Sequence, residues 1–575
     1  HSFGGSWFWG DLEGPINPAV VRCDGNFVGR THAALRYGGV AEFLGGPLFG
    51  EESGDTGWHL GKRRGYDERR CRRFLWVTIP GTCPKPHFEG WPTWTSIAHQ
   101  QMWQGWLQEA HQRGLRVMVV SLAESNFLCI NTPPWQRRYG CDEMESVRRQ
   151  ANFAHGFASR NSSWVGIART AAEARALIAQ NKLALVLAVE VTKLFPTGDY
   201  LAQLEDWRNL GIRSVQVVHH ADNRFAGAAQ IPQLKKAANL VEFLEGGIFE
   251  TQDVTDIDDI VCRDAAGNSD DCDGIHYLNE RGLSADGAGL VNAMMDRGML
   301  LDVAHLSRKS FEDVYNLALP RGYPLLYSHT HTWNTLDTPA DDKSEKVLLD
   351  SEIHMITDTG GMIGLRTGPE NTVQYTSPVQ TPNRVDNICQ GSARSFAQSL
   401  MYAVDRGLDV GFGADFNGFT RQMKPRYRSE CSLDSLRIAF NGGPNWFQSK
   451  GLGHVGLLPE LMADLQQVGL PQAYLDHLNN SAETFLQLWE RSESLAVAQN
   501  ANLARLATAS ASSTYCSGGG PGPHCYSPAR ANDGSRSTAL GGLDSWVHEG
   551  YIPLPQWLEL TWSTPVTGTR VDLYT

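Results

Sequence analysis

The sequence predicts an α/β fold: a (β/α)8 TIM-like barrel with an elaborated N-terminal segment, followed by a partial all-β sandwich module. Two observations predict the barrel. First, short runs rich in Val, Leu and Ile alternate with helix-length segments, roughly seven times or more over about 370 residues, which suits a closed barrel better than a small open sheet. Second, an ionisable residue stands at or just past the end of five of those runs. Glu190 follows Leu183–Val189, His219 follows Ser214–Val218, His305 follows Met299–Ala304, His329 follows Pro324–Ser328, and Asp415 follows Asp409–Ala414. Uninterrupted apolar runs of this length read as parallel strands buried on both faces. Their C-terminal ends would converge on one face of a barrel.

The elements follow in chain order. Residues 1–93 are rich in Gly, Trp and Pro with little periodicity, and read as loops and short elements that open a first domain extending to residue 495. A helix is predicted from about Thr95 to Gln112, then a strand over Arg116–Leu122 ending near Glu124, and a helix from about Met144. Thr170-Ala171-Ala172-Glu173 has capping-box spacing and should open a helix that ends near Gln180 and leads into the Glu190 strand. Helices near Tyr200–Leu210, Ala285–Arg297, Lys309–Ala318, Lys346–Thr359 and Ala393–Arg406 separate the later strands, among them Gly361–Arg366. The acidic stretch Asp253–Gly274 lacks the ligand spacing of a calcium-binding EF-hand loop and reads as a disulfide-closed surface loop. Helical periodicity resumes at Leu457 and stops after about Arg491, at Ser492–Asn500. Residues 501–575 then change to short strands and turns, with strands expected near Ala507–Ser513 and Gln556–Thr561.

A chain of 575 residues is too long for one ordinary core, and 41% hydrophobic residues are ample for a globular one. A formal charge of −13 argues against a nucleic-acid surface, which needs clustered Lys and Arg. None of the 11 cysteines forms a CxxC pair. Several are near neighbours in loop-like sequence, Cys71 with Cys83, Cys129 with Cys141, Cys262 with Cys272 and Cys516 with Cys525, so disulfides in an oxidising compartment are expected. Pairing Cys389 with Cys431 would leave Cys23 free. The chain starts at His1 without Met or a signal segment, and is read as a mature or trimmed form with a secreted, extracellular or periplasmic address.

One histidine at a strand end is usually a hydrogen-bonded structural residue. Five ionisable groups on successive strand ends are harder to explain that way, because each is costly to bury without a partner. Two carboxylates and three imidazoles suit a divalent metal, Zn²⁺ above all, as one or two ions. In that reading Glu190 bridges, His305 and His329 donate nitrogen lone pairs, and Asp415 is both a ligand and the acid–base group. The glycines of Gly411-Phe412-Gly413-Ala414-Asp415 allow close backbone approach.

These residues resemble the membrane dipeptidase family (renal dipeptidase, peptidase M19) of the amidohydrolase superfamily. The likeness spans about Val165 to Trp489. It is strongest in Leu283-Ser284, Gly298-Met299-Leu300-Leu301-Asp302-Val303-Ala304-His305-Leu306-Ser307, Tyr327-Ser328-His329 and Gly413-Ala414-Asp415-Phe416-Asn417-Gly418. It implies a bridging Glu190, metal ligands His305 and His329, a catalytic acid at Asp415, and a substrate-binding histidine at His219, with His220 as the neighbouring alternative. The expected substrate is a short peptide or related small molecule, cleaved at an amide bond by activated water. Asp415 would carry the proton to the leaving group while His219 stabilises the oxyanion. Two departures stand out. The HxD or HxH motif of the first strand is missing, with His1 its nearest remnant and His32 or His59 the substitutes. The family's carboxylate-binding Arg is also missing from Thr330–Asp342, where Arg224 or Arg366 would have to serve. The C-terminal stretch, including Ala529–Gly534 and Pro555–Leu560, resembles the start of a discoidin (coagulation-factor 5/8 type C) module, which implies a glycan or cell-surface ligand. Lactone or ester hydrolysis at the same site is one rival reading, and a non-catalytic binding protein is the other.

Overall fold

In a computed structural model of the chain, the described residues are 93–94, 102–124, 139–229, 260–263, 276–337, 344–379, 385–416, 420–432, 446–500, 507–512 and 557–561, with the short strands 73–74 and 77–78 and the isolated positions 13, 126, 129, 514 and 528. The chain divides into two units. The first is His1–Met295 with Met299–Glu493, and the second is Asp296–Gly298 with Ser494–Thr575.

The first unit is a mixed α/β fold with parallel sheets. Its parallel strands are β1 (Val117–Glu124), β2 (Val165–Ile167), β3 (Leu183–Val191), β4 (Ile212–Val215), β5 (Leu301–Asp302), β6 (Leu325–Thr330), β7 (Met362–Leu365) and β8 (Asp409–Phe412). β3 is buried at every residue, as its uninterrupted apolar sequence requires. One edge of β3 pairs with β1 over its whole length, from Val117 opposite Ala184 to Glu124 opposite Val191. The other edge is shared. Leu183 and Leu185 bond toward β2, while Val189 accepts from Gln216 just beyond β4. These are alternate residues, so they face the same side. β4 continues to β5 through a parallel bridge between Ser214 and Leu300, and β5, β6, β7 and β8 follow in that order. The result is an arc of seven strands, β1-β3-β4-β5-β6-β7-β8. Strand pairing that joins β8 to β1 does not occur among the described residues. A cavity of about 440 Å³ is lined by Val117, Val119 and Ser121 of β1 together with Gly411 and Phe412 of β8, and it reaches Glu190, His329 and Asp415.

The intervening helices match the predicted alternation: α1 (Gln104–Gln112), α2 (Glu143–Arg160), α3 (Ala171–Ala179), α4 (Tyr200–Asn209), α5 (Ala285–Met295), α6 (Arg308–Ala318), α7 (Asp350–Asp358) and α8 (Ala393–Asp405). α3 starts where its cap sequence places it, with the Thr170 hydroxyl accepting from the Glu173 N–H at 3.1 Å. Two expectations need correction. The helix predicted from Lys346 begins at Asp350, because the Glu352 carboxylate accepts the Leu349 N–H at 2.8 Å and caps the helix there. Lys346 therefore lies in the preceding loop. The C-terminal helical stretch, expected to stop after about Arg491, runs on to Asn500 and comprises three helices: α9 (Leu458–Gln467), α10 (Gln472–Asn479) and α11 (Ser481–Asn500). The first break falls at Gly469, whose φ of 87° ends α9, followed by Pro471. α11 passes through the serine-rich stretch read as its end, and within it the buried Ser492 hydroxyl is satisfied by donating to the Leu488 carbonyl at 3.0 Å.

Disulfides join Cys129 to Cys141 and Cys389 to Cys431. The other expected pairs each include residues outside those described, as does Cys23. Around Asp253–Gly274 only Ile260–Arg263 is described, in an antiparallel ribbon with His276–Asn279. In the second unit Thr508–Ala511 pairs antiparallel with Leu558–Thr561, so two strands fall where they were predicted.

The Arg426 guanidinium meets the Asp464 carboxylate with Nε to Oδ2 at 2.8 Å and Nη2 to Oδ1 at 2.7 Å, and both side chains are almost wholly inaccessible. Removing one partner strands the other charge in the interior. Asp464→Ala is expected to lower unfolding free energy by about 3–5 kcal/mol in a denaturant titration. Replacing both residues with apolar side chains should recover most of that loss.

Candidate metal centre

Glu190 is the eighth residue of β3, on the same strand face as Ala184 and Val186. Those two share a buried cluster with Leu300, Leu326 and Met362 of neighbouring strands, so that face looks into the arc. The C-terminal ends of β3 through β6 then bring three imidazoles to one carboxylate. Glu190 Oε1 lies 3.0 Å from His219 Nε2, 3.1 Å from His305 Nε2 and 3.9 Å from His329 Nε2. The last two Nε2 atoms are 2.9 Å apart. His220 stacks on His219 with ring centroids 3.5 Å apart and lies edge-on to His305. Two groups of donor atoms are therefore close enough to hold an ion: Glu190, His305 and His329, and His219, His220 and His305.

The electrostatics favour the forms that bind metal. Burial alone would raise the Glu190 carboxyl, but His219, His305 and His329 outweigh it and hold it well below the usual carboxylate range. Burial pushes His305, His220 and His329 down, with the charge of Lys346 adding to the effect on each. These three rings are neutral near pH 7 and keep a lone pair free. Among the described residues, His219 Nδ1 and His305 Nδ1 are buried without a hydrogen-bond partner, and the facing Nε2 atoms of His305 and His329 leave at least one lone pair aimed at another unless a proton or cation lies between them. The donor set fits a divalent cation.

A buried polar network stands behind the ligands. Asp302 accepts from Gln216 Nε2 at 2.9 Å and from the N–H groups of Ser328 and Ala304, each at 3.1 Å, which ties β4, β5 and β6 together. Ser328 Oγ contacts His329 Nδ1 at 2.9 Å, so Nε2 is the nitrogen turned toward Glu190. Burial raises the Asp302 carboxyl. Backbone strain marks the same place. Only four non-glycine described residues have positive φ, and His305 at 67° and Asp415 at 50° are two of them. Such conformations cost of order 1–3 kcal/mol each and persist where the surroundings impose them.

Asp415 Oδ2 accepts from Arg366 Nη1 at 2.9 Å, with both side chains mostly buried. β8 can approach closely here because Gly413 has no side chain, and a Cβ there would lie 2.3 Å from the Gly364 carbonyl oxygen. Arg224 is engaged elsewhere. Its Nε donates to Asp286 at 2.6 Å and its Nη1 to the Gly198 carbonyl at 3.0 Å. His1, His32 and His59 lie outside the described residues. Sequence reasoning passed over the Gln216–Asp302–Ser328 network, the partly buried His331–Glu370 pair at 3.2 Å and Lys346. Asp302 and Ser328 sat inside the recognised motifs but carried no chemical signal there. His331 and Lys346 follow no apolar run.

An α/β protein with a carboxylate and three imidazoles converging at its strand ends has the makings of a metal-dependent hydrolase. The profile of the membrane dipeptidase family (peptidase family M19) matches residues 99–247 and 255–425. More than half of the chain is covered, and the chain belongs to that family. It is a metal-dependent, dipeptidase-like hydrolase. No match is found among curated proteins. Among solved structures, an amidohydrolase from Pseudomonas aeruginosa is 16% identical, covers 68% of this chain and 93% of its own, and has a TM-score of 0.42. A metallo peptidase from Rhodobacter sphaeroides, liganded with a phosphinate mimic of the dipeptide L-Ala-D-Ala, is 18% identical, covers 67% and 89%, and has a TM-score of 0.43. The probable dipeptidase PvdM from Pseudomonas aeruginosa is 18% identical, covers 67% and 88%, and has a TM-score of 0.41.

Proposed function

We propose that this protein is a zinc-dependent hydrolase that cleaves the amide bond of dipeptide-like substrates, in a (β/α)8 barrel whose wall is completed between β8 and β1. The observation that carries the reading is the single Glu190 carboxylate approached by three Nε2 atoms within 3.9 Å. Glu190, His305 and His329 would hold one ion, and His219 and His220 flank it on the side of His305. One or two Zn²⁺ ions there would supply Lewis-acid polarisation of the scissile carbonyl and a more acidic water.

The chain's own groups do the rest. Asp415 accepts a proton from the attacking water and returns it to the leaving amine. Arg366 keeps Asp415 oriented through their contact at 2.9 Å, which makes it a positioning residue and departs from its expected role as a carboxylate binder. His219, at 3.0 Å from Glu190, is placed to donate to the developing oxyanion. The family membership and the family's small-peptide chemistry favour an amide over a lactone or ester. Two disulfides support an extracellular setting. Among the described residues no helix is long and apolar enough to cross a membrane. The C-terminal unit is proposed to carry a glycan or cell-surface ligand on a discoidin-like sandwich, supported by its sequence likeness and its antiparallel strand pair.

The test is a dipeptide-hydrolysis assay on protein stripped with chelator and reloaded with defined metals. Release of free amino acids that disappears on stripping and returns with Zn²⁺ is the expected result. Hydrolysis of lactones or esters but not dipeptides by the zinc-loaded protein would move the assignment to that rival. No hydrolysis of either class would support a binding role.

A further inference from the structure

We infer that Gln422 is a positioning residue for Asp415, holding its backbone in the left-handed conformation in which the carboxylate meets Arg366. The inference rests on the acid–base role proposed for Asp415 and adds the side chain that aims it. Among the described residues the β7–β8 ladder ends with the Gly413 N–H donating to the Leu365 carbonyl at 2.9 Å. Beyond that point the side-chain amide of Gln422 stands between the strand ends and joins them as a peptide group would. Its Oε1 accepts from the Thr367 hydroxyl at 2.7 Å, and its Nε2 donates to the Ala414 carbonyl at 2.8 Å. Gln422 and Thr367 are both fully inaccessible to solvent, so no bulk water competes for these bonds. Thr367 follows Arg366 and Ala414 precedes Asp415. One amide therefore ties together the backbone beside both members of that ion pair.

The Ala414 and Asp415 carbonyls belong to the two peptide planes that flank the Asp415 Cα. Gln422 holds the first, and the Thr420 hydroxyl holds the second by donating to it at 2.9 Å. With both planes fixed, φ and ψ of Asp415 are fixed, and with them the direction of its Cα–Cβ bond. This matters because φ is 50° here, a region that residues with a side chain leave unless their surroundings hold them. Gln422 is itself held from behind. Its N–H donates to the Trp94 carbonyl at 3.0 Å, the next carbonyl, of Met423, accepts from the Leu452 N–H at 3.0 Å, and the Lys424 N–H donates to the Gly391 carbonyl at 2.8 Å. Three separate parts of the chain thus fix the place from which the amide reaches. The task suits an amide, which accepts at one end and donates at the other. A carboxylate would set an oxygen against the Ala414 carbonyl, and an apolar side chain would take a partner from both Thr367 and Ala414.

Zinc-loaded wild type, Gln422→Met, Asp415→Asn and the double variant are compared for dipeptide hydrolysis, zinc content and melting temperature. Displacing a reacting group by about 1 Å can cost about 10² in rate, so Gln422→Met should lower kcat by about 10- to 100-fold, with zinc content at the wild-type level and KM within about threefold. In the Asp415→Asn background the same change should cost less than about threefold, because a residue that acts through Asp415 then has nothing left to aim. Equal factors in the two backgrounds overturn the proposal, as does an unchanged kcat per folded molecule with a lower melting temperature. A crystal structure of Gln422→Met gives a readout apart from turnover. Asp415 should leave the left-handed region or open its contact with Arg366 beyond hydrogen-bond distance, and wild-type geometry at both overturns the proposal. Where Gln422→Met does not fold, Thr367→Val and Thr367→Ser test the same contact: the first should lower kcat and the second, which keeps the hydroxyl, should restore it, while equal turnover in the two counts against the assignment. If the wild type cleaves no dipeptide, or Asp415→Asn costs nothing, the acid–base reading falls, and the crystallographic geometry of Asp415 alone decides for or against Gln422.

Discussion

Glu190→Gln should lose its divalent metal and, with it, turnover. The carboxylate is the one anion shared by His219, His305 and His329, and an amide at the same position offers a neutral oxygen and an N–H₂ that donates where lone pairs already converge. Changes to groups standing behind metal ligands typically cost about 10–100-fold in affinity, so loss of the central carboxylate should exceed ~10². Elemental analysis and zinc titration of wild type, Glu190→Gln and a His305→Ala, His329→Ala double variant give the readout. Wild-type stoichiometry in Glu190→Gln would remove this residue from the ligand set. No transition metal in the wild type, either as prepared or after zinc titration, would remove the metal centre altogether.

Asp415→Asn should lower kcat by about 10² to 10⁴, the usual cost of losing a positioned acid–base group. It should also lower stability, because Arg366 is left mostly buried without its counter-charge, a loss on the order of 3–5 kcal/mol for a buried pair broken from one side. The two effects separate in a cycle with Arg366→Met. The double variant Asp415→Asn, Arg366→Met removes both charges and should recover most of the melting temperature while kcat stays low. If turnover per folded molecule recovers together with stability, Asp415 is a structural partner of Arg366 and takes no part in proton transfer.

Much of the first unit was legible because local rules and tertiary demands agree there. The Leu183–Val191 run is apolar on both faces and could only be a doubly buried strand. The Thr170 cap, the disulfide partners Cys129 and Cys141, and the helix at Tyr200 are each specified by residues close together in sequence. Boundaries were less legible where a side chain overrides the local pattern. Glu352 delays the start of α7 to Asp350, and Ser492 sits within α11 with its hydroxyl satisfied by the Leu488 carbonyl. β5 and β8 proved shorter than their apolar runs. Buried residues such as Val303 and Ala304 continue the run past β5 into the turn that carries His305.

From the sequence alone came the chemical inventory, Glu190, His219, His305, His329 and Asp415, each tied to a strand end by an apolar run that signals burial. Whether those residues meet was decided by the tertiary structure, because meeting depends on strand order, register and twist, which residues hundreds of positions apart set together. Only the fold pairs Asp415 with Arg366 and draws Arg224 away to Asp286. Only the fold imposes positive φ on His305 and Asp415. A side chain's type fixes what it can donate or accept. Its neighbours decide which charge survives burial and what remains free to meet a substrate.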